Sequence, residues 1–236
     1  AGGSETEWDI EYGVSGFTQG TGTIVSVSSN SASMTGLSEG TVYDFYVRAA
    51  CASEDSDWTS VTSATTICAS TTTGFSTNFD DSAYLPSCYK VENLDGGANV
   101  WKPFSGVTGS GTYAAGIKYE SAAHDDYLFT PPFTVTDGVT DAFSVRVMGW
   151  NDYGTETIDV LLYDPSNKSL IATLSDDLST ATYQASGHFT SMLYDLSAYE
   201  GQDVMVAFHS STTDLFYFFV DNIVVGAYSD MEYGWA

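Results

Sequence analysis

Short apolar or alternating stretches, separated by turn residues, run through almost the whole chain. The stretch "EWDIEYGV" at 7–14 alternates polar and apolar positions strictly, and "DVMVAFHS" and "FYFFVDNIVVG" are mainly apolar over the length of a strand. No long stretch places apolar residues at positions i, i+3, i+4 and i+7, as an amphipathic helix would. The pattern therefore predicts an all-β protein.

The stretches fall into two groups. Residues 7–66 hold a first group, and residues 78–226 hold about ten short strands, which suggests a jelly-roll sandwich. Between them, "ICASTTTGFST" at 67–77 predicts a linker. The predicted organisation is a first β domain over 1–66, the linker over 67–77, a jelly roll over 78–226 and a tail over 227–236.

The charge of the chain excludes several partners. Thirty-one Asp+Glu stand against 6 Lys+Arg, a formal net charge of -25. Such a surface repels nucleic acid and anionic membranes. The charge has two explanations: solubility in a salty or calcium-containing medium, or acids that form cation sites. No apolar run approaches the roughly 20 residues that span a bilayer, and "AGGSETEW" at the start does not resemble a signal peptide. We therefore expect a removed leader or an internal fragment.

The sequence offers no catalytic motif. We find no GxSxG, HExxH, P-loop or dinucleotide fingerprint. His124, His188 and His209 are scattered without metal-ligand spacing. Carboxylate pairs for glycoside hydrolysis can be drawn at will from 31 acids, so they carry no information. The chain is therefore not predicted to be an enzyme.

Acidic residues at predicted strand edges are the positive signal. Asp221 interrupts "LFYFFVDNIVV", where a charge is costly unless it is paired or bound to metal. Calcium, which takes about six to eight oxygen ligands, is the economical partner. The alternative is that Asp221 accepts backbone N–H bonds at a bulge or strand end. The candidate calcium ligands are Asp80, Asp81, Asp95, Asp125, Asp126 and Asp221.

Two neighbouring candidates impose a geometric condition. Successive side chains of an extended strand face opposite sides. Asp125 and Asp126 can therefore bind one ion together only if the chain bends before Tyr127. Otherwise only one of the two is a ligand.

Two further features are short. "DSA" at 81–83 fits an O-glycosylation motif of secreted Bacteroidetes proteins, which would place a sugar on Ser82. The loop "WNDY" offers Trp150, Asn151 and Tyr153 for stacking on a sugar ring. The alternative for this loop is local packing.

Residues 7–66 resemble a fibronectin type III domain of secreted Bacteroidetes proteins. The motifs are "WDIEYGVSGFTQGTGT", "TGLSEGTVYDFYVRAACASEDSDW" and "VTSATT". In the family two strands precede the one beginning at Trp8, so the resemblance implies a partial sandwich, open along one side. An open edge attracts strands, and another chain could supply one. The alternative explanation of the open side is a truncated or partial chain. The segment "MEYGW" at 231–235 is a candidate donor strand, or the start of another domain.

Residues 78–226 resemble the cleaved-adhesin, or MAM-like, jelly-roll module of Bacteroidetes surface adhesins and gingipain-type proteases. The motifs are "NFDD", "LPSCYKVENLDGGANVW", "HDDYLFTPPF" and "YDLSAYEGQDVMVAFHSSTTDLFYFFVDNIVV". The resemblance implies a non-catalytic module with structural calcium near these acids. "LDGGAN" has one acid where related modules often have a longer DxDG-type run, so Asp95 departs most from the family.

The resemblances also imply the cysteine pairing. An odd number of cysteines suggests one pair and one orphan. In the adhesin module a Cys commonly precedes "LPSC", which favours a Cys68–Cys88 disulfide. In the fibronectin fold Cys51 lies at the opposite end of the domain from Cys68, so we expect Cys51 to pair upstream of this chain.

The leading hypothesis is a non-catalytic, secreted or cell-surface module that binds carbohydrate or protein, with calcium stiffening the jelly roll. One alternative is an accessory region of a larger secreted enzyme such as a peptidase. Another is a self-assembling extracellular structural protein that uses strand donation.

Overall fold

The computed structural model is all-β, as predicted. It describes residues 5–51, 54–80, 84–107, 111–150, 157–179, 189–211 and 217–232. The chain divides into two compact units, residues 1–68 and 69–236. Among the described residues, no helix has the length and apolar character needed to cross a bilayer.

The first unit is built on one antiparallel sheet of four strands in the order β2-β1-β3-β4 within the described residues. Because side chains alternate along a strand, the sheet has one apolar face carrying Trp8, Ile10 and Tyr12 and one polar face. One sheet alone does not make a fibronectin type III sandwich, so that assignment stays a prediction. The strands are β1 (Trp8–Val14), β2 (Thr23–Val27), β3 (Val42–Ala49) and β4 (Thr62–Thr65).

The polar face of this sheet is held by carboxylates that accept local hydrogen bonds. Asp44 on β3 is buried and accepts bonds from the Ser63 hydroxyl, the Gly16 N–H at 2.8 Å and the Ser15 hydroxyl at 3.1 Å. These donors, the Ser63 hydroxyl foremost, lower the pKa of Asp44 below its ordinary value of 3.8. The ionised form of Asp44 therefore stabilises the sheet.

We expect protonation of Asp44 at low pH to reduce the free energy of unfolding of the first unit. Because the folded pKa is lowered, the stabilisation is present above the ordinary carboxyl pKa and is lost as pH falls through the folded pKa. Urea unfolding, followed by NMR signals of β3 amides at about pH 5 and about pH 3, measures this loss. Asp44→Asn should flatten this dependence, and an unchanged slope would contradict the assignment.

The second unit is a β-sandwich of two antiparallel sheets. Among its described residues the front sheet has the order β13-β12-β15-β9-β6 with β10 beside β15, and the back sheet has the order β14-β11-β16-β8-β7 with β5 beside β16. The front strands are β6 (Lys90–Asn93), β9 (Asp126–Phe129), β10 (Phe133–Thr134), β12 (Thr157–Tyr163), β13 (Leu170–Ser179) and β15 (Asp203–Ser210). The back strands are β5 (Phe75–Thr77), β7 (Lys102–Ser105), β8 (Tyr113–Lys118), β11 (Ala142–Trp150), β14 (Thr190–Asp195) and β16 (Tyr217–Gly226).

The core lies between these sheets and is rich in large side chains. Phe208 on β15 is fully buried, and its ring centroid lies 6.2 Å from that of Trp101 and 6.1 Å from that of Phe143. Val204, Val206 and Phe208 join this core, whereas the alternate residues Met205 and Ala207 belong to a separate cluster. The strand is apolar on both sides because it packs on both sides.

Two segments differ from the sequence prediction. Phe75–Thr77 lies in the predicted linker but forms β5 on the edge of β16, because the Phe75 ring packs against the core. The predicted donor strand begins in a helix instead: α1 spans Tyr228–Glu232, and Met231 is buried beside Gly226. Residues 233–236 lie outside the described residues. A short 3-10 turn spans Ser197–Tyr199.

The cysteine pairing is as the adhesin resemblance implied. Cys68 and Cys88 form a disulfide, and Cys51 is a free, half-buried thiol in this chain.

We expect the Cys68→Ser, Cys88→Ser double variant to lose about 3 kcal/mol of unfolding free energy. The disulfide closes a loop of about 20 residues, and the loss follows from the chain entropy that the open loop regains. Chemical denaturation measures it. Cys51→Ser, which removes a thiol and no crosslink, is the matched control and should leave the midpoint unchanged. Equal midpoints for the double variant and the control would refute the expectation.

Candidate functional site

The structure separates the predicted calcium ligands. Asp95 and Asp126 come together with His124: one donor atom from each of the three side chains lies within 4.8 Å of the others. Asp80, Asp125 and Asp221 belong to neither of the potential metal-binding groups found among the described residues. Asp81 lies outside the described residues.

Asp80 and Asp221 instead accept backbone hydrogen bonds. Asp80 Oδ1 accepts the N–H groups of Thr112 and Tyr113, which fixes the turn before β8. Asp221 is fully buried, and its Oδ1 accepts the Asn222 N–H at 2.7 Å. Asn222 has φ 48°, and the pairing of β16 with β11 shifts register nearby. Asp221 therefore lies beside an irregularity of the strand and accepts a backbone N–H bond. This is the arrangement that the alternative to calcium binding describes.

The two neighbouring aspartates face opposite sides of the front sheet, as strand geometry requires. Asp126 begins β9 and is fully buried, and Leu128 on the same side enters the core. Asp125 lies half-exposed beside His209, with Oδ1 3.1 Å from Nε2. The chain makes no bend that would bring both carboxylates to one ion.

The 93–99 loop brings Asp95 toward Asp126. Asn93 ends β6 directly opposite Asp126 in the strand register. Its Oδ1 accepts the Gly96 N–H at 2.6 Å and its Nδ2 donates to the Gly97 carbonyl at 2.8 Å. Gly96 has φ 73°, which favours glycine. The loop therefore curls over the start of β9, with Asp95 exposed.

His124 is the candidate ligand that sequence inspection missed. Its Nδ1 lies 2.7 Å from Asp126 Oδ2, and its Nε2 lies 3.0 Å from the Lys118 carbonyl oxygen. His124 is 3% exposed and Asp126 0%. The other oxygen, Asp126 Oδ1, is buried and has no hydrogen-bond partner among the described residues. We refer to Asp95, His124 and Asp126 as the triad site.

The triad site fits calcium poorly. Calcium takes about six to eight oxygen ligands, but the triad offers two carboxylates and one imidazole nitrogen. Glu120 also approaches the loop, since a side chain on Gly97 would collide with the carboxylates of Glu120 and Asp95. A site with a nitrogen donor suits a borderline metal such as zinc better than a hard cation.

The outer face of the front sheet carries a second arrangement, which we call the front face. Rings from three adjacent strands meet there: Tyr127, Tyr163 and His209 are partly exposed, and they cluster with Phe129, which is buried. The Tyr127 ring stacks on His209 with centroids 4.1 Å apart and on Phe129 at 5.6 Å, and Tyr163 meets Phe129 edge-on at 5.6 Å. The face consists of Tyr127, Phe129, Leu161, Tyr163, Met205, Ala207 and His209.

Polar groups surround these rings. His209 lies between two carboxylates, with Asp125 Oδ1 3.1 Å from Nε2 and Asp159 Oδ2 3.5 Å from Nδ1. Burial, reinforced by Tyr163 and Asp125, raises the pKa of the Tyr127 hydroxyl. That hydroxyl stays protonated and already takes part in hydrogen bonds with Tyr163 and Asp125.

Two lysines of the second unit extend the polar rim. On β6, Glu92 lies opposite Tyr127 in the strand register. It pairs with Lys90 Nζ at 2.8 Å and with Lys168 Nζ. The front face thus offers positively charged hydrogen-bond donors and negatively charged hydrogen-bond acceptors beside its rings.

The predicted sugar-binding loop is only partly described. Trp150 ends β11 opposite Tyr217 in the strand register. The structure describes the backbone of Trp150 but not its side chain. Asn151, Tyr153 and the predicted glycosylation site Ser82 also lie outside them. A usable signal for the front face was present: in "DDYLFT" the aromatic residues Tyr127 and Phe129 flank Leu128, which enters the core on the other side of the sheet.

Comparisons with known proteins place the fold. No family model and no curated protein matches the chain. The K3 cleaved adhesin domain of Lys-gingipain from Porphyromonas gingivalis is 19% identical, with a TM-score of 0.51, over 65% of this chain and 96% of that domain. The K2 cleaved adhesin domain of Lys-gingipain is 15% identical, with a TM-score of 0.50, over 64% of this chain and 98% of that domain. At this identity the likeness shows a shared β-sandwich fold.

Proposed function

We propose that this chain is a non-catalytic binding module of a secreted or cell-surface protein, and that its front face binds carbohydrate. The observation that carries the proposal is the front face itself, where partly exposed rings on three neighbouring strands lie beside acceptors and donors. The likeness to adhesin domains supports the fold in which such a face sits.

The chemistry of the front face suits a sugar. A pyranose presents a C–H surface that stacks on aromatic rings and hydroxyls that exchange hydrogen bonds around its edge. Tyr127 and Tyr163 supply ring surface. Asp125, Asp159 and Glu92 supply acceptors at its margin. Specific small-ligand sites combine apolar surface with a few placed polar groups in this way.

A protein ligand would use the same face differently. It would bury the rings as anchors and would need roughly 800 Å² of surface per partner for a stable complex. The compact ring cluster on three strands favours a ligand of a few sugar residues. The accessory-region alternative is tested at the gene: a catalytic domain encoded together with this module would support it.

Calcium binding stays a prediction. Removal of bound metal with EDTA tests it. Calcium bound by the native state would raise the melting temperature. If EDTA leaves the melting temperature unchanged and elemental analysis finds no metal, the prediction is wrong.

The self-assembly alternative is tested by sedimentation across a concentration range, where a persistent monomer removes it.

Binding to a panel of neutral and acidic polysaccharides, read by affinity electrophoresis, tests the proposed function. We expect retardation by at least one plant or bacterial glycan, with no change in its chain length. Retardation by no glycan in the panel, together with capture of a protein ligand, would overturn the proposal.

A further inference from the structure

We propose that the triad site, Asp95, His124 and Asp126, binds a zinc ion, in place of the calcium expected from the sequence. The proposal does not depend on what the front face binds. It rests on the donor atoms, the orientation of the histidine and the burial of Asp126.

The orientation of His124 is the first observation. The Lys118 carbonyl oxygen, 3.0 Å from Nε2, accepts hydrogen bonds only, so Nε2 carries the hydrogen. A metal-ligating histidine almost always donates its second ring N–H to a carbonyl or carboxylate in this way, which fixes the tautomer. The lone pair of Nδ1 is then directed at the triad site.

The short approach of Nδ1 to Asp126 is the second observation. With Nε2 protonated, a neutral His124 presents an acceptor at Nδ1, and Asp126 Oδ2 lies 2.7 Å away as another acceptor. Two acceptors this close, both buried, need a positive centre between or beside them. A proton on Nδ1 or a metal ion would satisfy this pair.

The remaining oxygen distinguishes these two solutions. A proton on Nδ1 compensates Oδ2 but leaves Asp126 Oδ1 buried without a hydrogen-bond partner among the described residues. Asp95, which is exposed, adds a third donor that no His124–Asp126 pair requires. A cation bound by all three side chains compensates both carboxylate oxygens of Asp126, and Asp95 then serves as its third protein ligand.

The donor set then selects the metal. One imidazole nitrogen and two carboxylates are common zinc ligands, and zinc sites with three protein ligands complete their shell with water. Calcium and magnesium prefer oxygen ligands only. Exposure of Asp95 gives the ion a route from solvent.

The site has a mechanical consequence. Asp126 begins β9, Asp95 belongs to the loop after β6, and His124 lies in the segment after β8. A shared ion would join these three segments at the point where the strand carrying Tyr127 begins. Zinc would therefore stabilise the second unit rather than react with a ligand.

The test uses the full chain after dialysis against EDTA. Calorimetric titration with ZnCl₂ should show one site, and zinc at 100-fold above its Kd should raise the melting temperature by roughly 5–10 °C. CaCl₂ at the same concentration should have a much smaller effect. Cobalt substitution should give visible d–d absorption from a site with a nitrogen donor.

Variants separate a bound ion from a salt bridge. His124→Ala removes a buried side chain and is a demanding variant, so Asp95→Asn provides the second one: it removes an exposed ligand and leaves the His124–Asp126 pair intact. Asp95→Asn should weaken zinc binding at least 10-fold. Glu200→Gln, which makes the same charge change at an exposed position, should leave zinc binding unchanged.

Three results would overturn the proposal. The first is no zinc uptake, with ¹⁵N shifts that show His124 protonated on both nitrogens in the EDTA-treated protein. The second is stabilisation by calcium equal to or greater than that by zinc and sensitive to Asp95→Asn. The third is zinc binding that is the same in Asp95→Asn and Glu200→Gln, which would place the ion elsewhere.

Discussion

The Phe208→Ala variant is expected to lose about 3–5 kcal/mol of unfolding free energy. Phe208 is fully buried between the two sheets, against Trp101 and Phe143. Alanine would leave a cavity that these large, closely packed aromatic neighbours cannot easily fill. Urea denaturation monitored by far-ultraviolet circular dichroism measures the loss, at constant m-value if the variant stays two-state.

The next residue on the same strand is the control. His209 belongs to the front face and keeps 15% of its side chain exposed, so His209→Ala should cost less than about half of the Phe208→Ala loss. The comparison tests the strand register directly, since a one-residue slip exchanges the two sides of β15. Equal costs would show that the register of β15 is wrong.

The Tyr127→Ala variant is expected to weaken glycan binding roughly 30-fold, a loss of about 2 kcal/mol. The Tyr127 ring lies at the centre of the front face, stacked between His209 and Phe129. Removing it removes the partly exposed ring at the centre of the cluster, the support of its two stacked neighbours, and the hydroxyl. Tyr127→Phe keeps the ring and should lose only the part of the affinity that the hydroxyl contributes. Isothermal titration with the best glycan from the panel measures both losses.

An aromatic residue on the opposite sheet provides the matched control. Phe104 on β7 is half-buried and packs against Tyr217 and Phe219 on the outer side of the back sheet. Phe104→Ala removes a ring of similar size far from the front face and should leave glycan affinity within about twofold. Similar losses for Tyr127→Ala and Phe104→Ala would mean that the ligand does not bind the front face.

Much of the fold follows from short-range patterns. The alternation in "EWDIEYGV" predicted β1. The same two-residue period left two possibilities for Asp125 and Asp126, and the structure has them on opposite sides. The all-β class needed no more than this. The Phe75–Thr77 strand was missed because three residues hold too little pattern, and a tertiary contact of Phe75 decides their conformation.

The candidate sites depend on register between distant strands, which one sequence does not reveal. Asp95 reaches Asp126 because Asn93 pairs with Asp126 across the β6–β9 ladder. His124 looked isolated in the sequence, since its partners are a backbone carbonyl at Lys118 and a carboxylate brought there by folding. The front face is assembled in the same way from Tyr127, Tyr163 and His209 on three strands.

The binding role of the front face is tested most directly by NMR titration of the labelled full chain with the best glycan from the panel. We expect chemical-shift changes concentrated at the amides of Tyr127, Tyr163 and His209, saturating with the same Kd as calorimetry. Changes confined to the first unit or to the back sheet, with those three amides unmoved at saturation, would contradict it.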